Sequence, residues 1–124
     1  MKLYLDDERE TPAGCVRVFW PDEAIAWLKT GVVTEISLDH DLGDDNRGTG
    51  YDVILWIEKE VMTNHFIPPL IRVHSANVSA RSKMELGIMA INDFLAKEGA
   101  NKRGNSSRLT QSFHFFMFEP FFLP

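Results

Sequence analysis

Four short apolar runs, residues 2–6, 15–19, 35–39 and 70–74, alternate with longer stretches whose apolar residues recur at helical spacing. Runs of this length, rich in Val, Ile, Leu and Tyr and bounded by Gly, Pro or charge, read as strands. Strands separated by helices cannot pair as hairpins, so the alternation predicts βα units and a parallel sheet. Because each run is nearly continuous in apolar character, the expectation is a sheet covered on both faces. The 124 residues suffice for one domain with its own core, and not for two.

Three helices follow from local signals. In "WPDEAIAWLKTG", Pro21 suits the first helical position, Asp22 and Glu23 favour the positive end of the dipole, and Gly31 closes the segment, with Ala24, Ile25 and Leu28 inward. In "RGTGYDVILWIEKEV", Thr49 and Asp52 have capping-box spacing. Val53, Ile54, Ile57 and Val61 form one face, and Pro68 and Pro69 stop the helix from running on. The third carries Met84, Ile88, Ile91 and Leu95 on one face, with Ser79 or Ser82 as cap and Gly99 as stop. These elements assign residues 1–99 to the folded domain. Residues 100–124 begin polar and then place six phenylalanines within ten residues. That tail reads either as an irregular extension or as a fifth strand covering a sheet edge.

Charge and composition remove several function classes. A formal charge of −5 argues against a broad nucleic-acid surface, leaving only a local basic patch around Arg72, Arg81 and Lys83. No apolar run approaches the ~20 residues of a membrane helix. Met1 leads directly into a candidate strand, so no secretory leader is expected. Cys15 is the single cysteine, fits a reducing compartment and reads as a packing residue. A cytoplasmic location is the expectation.

The apolar runs end in chemistry. Asp6 and Asp7 close the first, Asp39 and His40 the third, and "HSAN" from His74 to Asn77 the fourth. A single aspartate after a strand serves as a cap or a solvated loop group. Two acidic clusters on strands expected to be neighbours repel one another unless a cation lies between them. Asp6, Asp7 and Asp39 are hard oxygen donors of the kind that suit Mg²⁺ or Mn²⁺, while His40 and His74 keep zinc open. In open parallel sheets ligands bind outside the carboxyl ends of the strands, where these groups lie. His40 and His74 read either as structural hydrogen-bonders or as acid and base, since imidazole suits proton exchange near neutral pH. Ser75, Asn77 and the start of the third helix, with Arg81 in its first turns, form a candidate phosphate wall. Gly43, Gly48 and Gly50 match neither a Walker loop nor a dinucleotide fingerprint and read as a flexible rim, with Arg47 within reach.

An acidic pair after the first strand, an aspartate after the third, and Ser75-Ala76 after the fourth resemble the receiver fold of two-component signalling. More closely, "LYLDDER", "ISLDHDLGDD", "GTGYDV" and "RVHSAN" resemble the cyclic-phosphate processing receiver domains. The resemblance spans about residues 1–95. It implies a receiver-like, flavodoxin-like α/β fold, an open parallel sheet of four strands or of five with the tail. It further implies Mg²⁺ held by Asp6, Asp7 and Asp39, and a phosphoesterase acting on 2′,3′-cyclic phosphate RNA ends or cyclic nucleotides in RNA repair or phage conflict. The alternative is a signalling or docking receiver, phosphorylated at Asp39 or degenerate. The sequence departs from ordinary receivers in two places: the first helix is missing, and Glu119-Pro120 stands where the family's Lys-Pro would be. Both the histidines and the missing lysine favour an enzyme over a switch.

Overall fold

The computed structural model describes residues 1–102. Strands β1 (Lys2–Leu5), β2 (Cys15–Val18), β3 (Glu35–Leu38) and β4 (Leu70–Val73) form one sheet in the order β2-β1-β3-β4, every neighbour parallel. Among the described residues the helices are α1 (Pro21–Lys29), α2 (Gly50–Asn64) and α3 (Val78–Lys102), with a 3-10 turn at Asp45–Arg47. This is the expected open parallel sheet of four strands flanked by helices. Of the tail, residues 100–102 belong to α3, and the two readings, irregular extension or fifth strand, otherwise fall on residues outside those described.

Each strand ends one residue earlier than the sequence suggests, yet for β1, β3 and β4 that extra residue stays tied to the sheet. The N–H of Asp6 donates to Val18 O, that of Asp39 to Leu5 O, and that of His74 to Leu38 O. The ladder therefore aims three candidate site residues at a common edge.

The expectation of a sheet buried on both faces is overturned. Leu3, Leu5, Val18, Ile36, Leu38 and Ile71 form one core cluster with residues of all three helices. The alternate positions carry Lys2, Tyr4, Arg17, Glu35, Ser37 and Arg72. Strand order explains the asymmetry. The connections β2-α1-β3 and β3-α2-β4 step in the same direction across the sheet, so right-handed crossovers put both helices on one face. α3 packs against α2 on that face. The step from β1 to β2 runs the other way and would carry a helix to the opposite face, but residues 6–14 are too few for one. A loop takes its place, anchored by Arg17 Nη1, which donates to Arg9 O and Thr11 Oγ1. On this face Glu35 accepts from Arg72 Nε at 2.8 Å and pairs with Lys2 at 3.6 Å. Such exposed pairs contribute about 0–1 kcal/mol each, against about 1.5–3 kcal/mol for each core Leu or Ile fully buried. The helix-covered face holds the fold; the other holds side chains in position.

The caps of α1 and α2 follow the sequence. Glu23 Oε1 accepts from the N–H of Trp20, and Asp52 Oδ2 from that of Thr49 at 2.8 Å. α2 ends at His65, in the left-handed conformation, before the prolines are reached. At α3 the structure differs. Asn77, not Ser79 or Ser82, is the cap: its Oδ1 accepts from Ala80 N, and both serines lie within the helix. Gly99 lies inside α3 rather than ending it, so the helix runs past residue 99.

Gly50 is a packing requirement and not part of a flexible rim. It opens α2, is buried, and donates its N–H to His40 O. A Cβ there would lie 1.8 Å from the carbonyl oxygen of Asp39. The main chain at the end of β3 thus passes directly against the start of α2. Gly50→Ala is expected to lower stability by about 1–3 kcal/mol, measured by urea denaturation, and to displace Asp39. An unchanged midpoint would mean that α2 can move away freely.

Candidate functional site

At the carboxyl end of the sheet a cavity of about 350 Å³ is lined by Asp6, Asp7, Glu8, Arg9, Asp39, Asp41, Gly43, Ala76 and Asn77. It lies at the topological switch point: chain direction across the sheet reverses at β1, and Asp6 and Asp39 end the adjacent strands β1 and β3.

Asp6 is 0% exposed, a position where an ionised carboxylate is costly unless every oxygen is satisfied. Oδ1 accepts from the N–H groups of Glu8 (2.8 Å) and Arg9 (2.9 Å). Oδ2 accepts from Arg9 Nη1 at 3.0 Å and faces His74 Nε2 at 2.9 Å. Burial pushes the carboxyl up, but these donors outweigh it and hold the pKa at about 2. Asp6 is therefore ionised and can only accept. His74 must then carry its proton on Nε2, which leaves Nδ1 to accept from Ser37 Oγ at 2.7 Å. The ring stacks on Tyr4 with centroids 4.4 Å apart, and burial pushes its pKa down despite Asp6.

Asp39 behaves differently. It is largely buried, and its Oδ1 accepts from the N–H of His40. Its Oδ2 lies 3.4 Å from Arg9 Nη1. Burial pushes this carboxyl up, and the neighbouring Asp6 adds to the shift. Donor atoms of Asp6, Asp39 and His74 all lie within 4.8 Å of one another. One guanidinium already lies across two of these groups, so the donor set suits a cation. Hard carboxylate oxygens at the edge of a wet cavity are what Mg²⁺ or Mn²⁺ takes.

The remaining candidates divide. Asp7 lines the cavity beside Gly43 but stands outside that tight group. His40 turns to the rim, its Nδ1 2.8 Å from Asp41 Oδ1. Ser75 is buried and accepts from Asn77 N, so its hydroxyl shapes the turn, while Asn77 both lines the cavity and caps α3. Arg81 pairs with Glu85 at 2.9 Å and lies apart from the cavity. Arg47 lies over the Trp20 ring and Lys83 over that of Tyr51. With Arg72 on Glu35, the basic residues do not form one patch. The sequence reading missed Arg9 and Asp41. Both stood in the quoted phrases, Arg9 three residues after Asp6, and the signal was the need of a buried carboxylate for a positive partner.

Acid stability tests this electrostatic account. The folded-state pKa of Asp6, about 2, lies below its ordinary 3.8. Its contribution is therefore complete above about pH 4 and is lost as pH falls towards 2, about 2 kcal/mol in all. Denaturation followed across that range should show the loss in the wild type and a flatter profile in Asp6→Asn. Asp39, shifted upward, acts with the opposite sign, so Asp39→Asn should raise metal-free stability at neutral pH. Equal profiles for all three proteins would contradict the assignment.

Comparisons with curated proteins and with solved structures return no match. Residues 1–90, by contrast, match the family described as Cyclic-phosphate processing Receiver domain. The matched stretch contains all four strands and every residue lining the cavity, and the chain belongs to that family.

Proposed function

We propose that this protein is a metal-dependent phosphoesterase that opens cyclic phosphates, either 2′,3′-cyclic phosphate ends of RNA or cyclic nucleotides. The observation that carries the reading is the convergence of Asp6 and Asp39 carboxylate oxygens, with the His74 ring bracing Asp6 in the same group within 4.8 Å, beside a cavity with room for a nucleotide phosphate. Membership of a cyclic-phosphate processing family supports it.

Asp6 and Asp39 would hold Mg²⁺ or Mn²⁺, with Asp7 close by at the rim. Such an ion, when bound, neutralises phosphate charge and lowers the pKa of water. The chain's own groups do the rest. His74, with Nδ1 facing Ser37 and Nε2 facing Asp6, fixes the orientation of the Asp6 carboxylate and acts as a positioning residue. His40, at the rim, is the group assigned to proton exchange: its Nδ1 lies against Asp41, which lines the cavity, so the imidazole has a carboxylate to orient it. Ala76 and Asn77 bring the positive end of the α3 dipole to the cavity wall, on the side where a phosphate would rest.

The test is an activity screen across a divalent-metal series on 2′,3′-cyclic phosphate RNA and cyclic nucleotides. Ring opening is expected with Mg²⁺ or Mn²⁺, and His40→Gln should lower the rate about 10²- to 10⁴-fold. Melting should also rise with metal, by about 2.7 kcal/mol of stability at a hundredfold excess over Kd. The rise should shrink in Asp6→Asn and Asp39→Asn and persist in Asp44→Asn and Asp45→Asn, whose carboxylates lie outside the cavity. Intact substrates with every metal would sink the proposal. The second reading, a receiver phosphorylated at Asp39, draws on the place of that residue at the end of β3. A stable mass adduct after acetyl phosphate treatment, absent in Asp39→Asn, would favour it.

A further inference from the structure

Six charged residues line the cavity, and five of them are carboxylates: Asp6, Asp7, Glu8, Asp39 and Asp41. Arg9 is the one basic residue lining it among the described residues. Its guanidinium bridges Asp6 at 3.0 Å and Asp39 at 3.4 Å. The Arg9 side chain is 43% exposed, whereas those of Asp6 and Asp39 are 1% and 12% exposed. The guanidinium thus lies between the two carboxylates and solvent.

We infer that Arg9 is an exchangeable cation: it holds the Asp6–Asp39 pair in the metal-free protein, and on metal binding it leaves the pair to contact the substrate phosphate. This rests on the metal-dependent reading above. Two arguments carry it. The first is exclusion. Mg²⁺ requires oxygens at about 2.0–2.1 Å, and a guanidinium on the same Oδ2 atoms stands where those oxygens would converge. The second is charge. With Asp6 and Asp39 committed to a divalent ion, Asp7, Glu8 and Asp41 still repel an anionic substrate, and Arg9 is the lining side chain able to offset them with a planar, two-pronged donor.

Release costs little rearrangement of the chain. The Arg9 N–H remains on Asp6 Oδ1 and its carbonyl on Arg17 Nη1, so the backbone stays anchored while the side chain turns. The carboxylates also keep donors once the guanidinium has gone, from the N–H of Glu8 and the ring of His74 for Asp6, and from the N–H of His40 for Asp39.

Calorimetric titration of wild type, Arg9→Gln and Asp39→Asn with Mg²⁺, then with inorganic phosphate at saturating Mg²⁺, tests the exchange. Arg9→Gln should bind Mg²⁺ roughly tenfold tighter, having lost a competing charged hydrogen-bond donor, and phosphate roughly tenfold more weakly. If Arg9→Gln binds Mg²⁺ no tighter than wild type while Asp39→Asn loses binding, the exchange is wrong and the metal site stands. Unchanged phosphate affinity in Arg9→Gln overturns the exchange as well. If neither wild type nor Arg9→Gln binds metal, both readings fall. Should Arg9→Gln fail to fold, the ¹⁵N resonances of the Arg9 guanidinium in the wild type decide: a shift on Mg²⁺ addition supports exchange, and no shift on a metal-saturated protein overturns it.

Discussion

Everything at the carboxyl edge depends on the solvation of one buried carboxylate. Asp6 is fully buried, so protein donors must replace most of its hydration shell: the N–H groups of Glu8 and Arg9 and the Arg9 guanidinium from the adjoining loop, and the imidazole of His74 from the end of β4. Removing one partner from such a group costs far more than an exposed ion pair contributes, because the charge stays buried. Asp6 therefore fixes the course of the loop after β1, the tilt of the His74 ring after β4, and through Arg9 the position of Asp39 after β3.

The same carboxylate explains the missing helix. An ordinary βα connection would leave the sheet and return by a helix on the second face. Here the chain turns back at once, because Glu8 and Arg9 must present their N–H groups to Asp6 Oδ1, and it is at the foot of β2 by Cys15. The second face consequently carries a polar mosaic in place of a helix layer. Its members are not idle. Ser37 holds the His74 ring at its Nδ1 edge and Tyr4 stacks on its face, and Arg17 pins the loop that carries Arg9. Side chains that a two-sided core would have buried under a helix serve here to position the site.

Much of this was legible in the sequence, and the failures have physical causes. Strand positions were recoverable because apolar runs of this length have few alternatives, and the ends of β1, β3 and β4 were overestimated by the residue that still donates into the ladder. The one-sided core was missed although the letters carry it. In KLYL, CVRV, EISL and LIRV the polar residues occupy one parity, and only the parallel register aligns Lys2 with Glu35 and Ser37 with Arg72. A four-residue run holds two residues per face, too few for periodicity to separate from a continuous apolar stretch. Asn77 was missed as a cap for a related reason: three polar residues within six positions can cap a helix, and the choice depends on where the chain leaves β4.

The site shows the limit more sharply. Crowded carboxylates at strand ends called for a positive partner, which the sequence reading assigned to a divalent metal and did not seek within the chain. In the structure it comes from the chain, as Arg9. Under the exchange proposed above, the chain's cation and a divalent ion belong to different states of the site. A buried carboxylate beside a like charge is held at a cost, as Asp39 shows: burial pushes its carboxyl up and the neighbouring Asp6 adds to the shift. A fold that must remain stable before metal arrives needs a substitute of the same sign, weak enough to yield. A guanidinium at 3.0 and 3.4 Å, half open to solvent and attached to a loop whose backbone is held independently, has those properties. A lysine in its place would offer a more compact, more strongly hydrated charge that cannot bridge two carboxylates with a planar fork, so the identity of residue 9 matters as much as its sign.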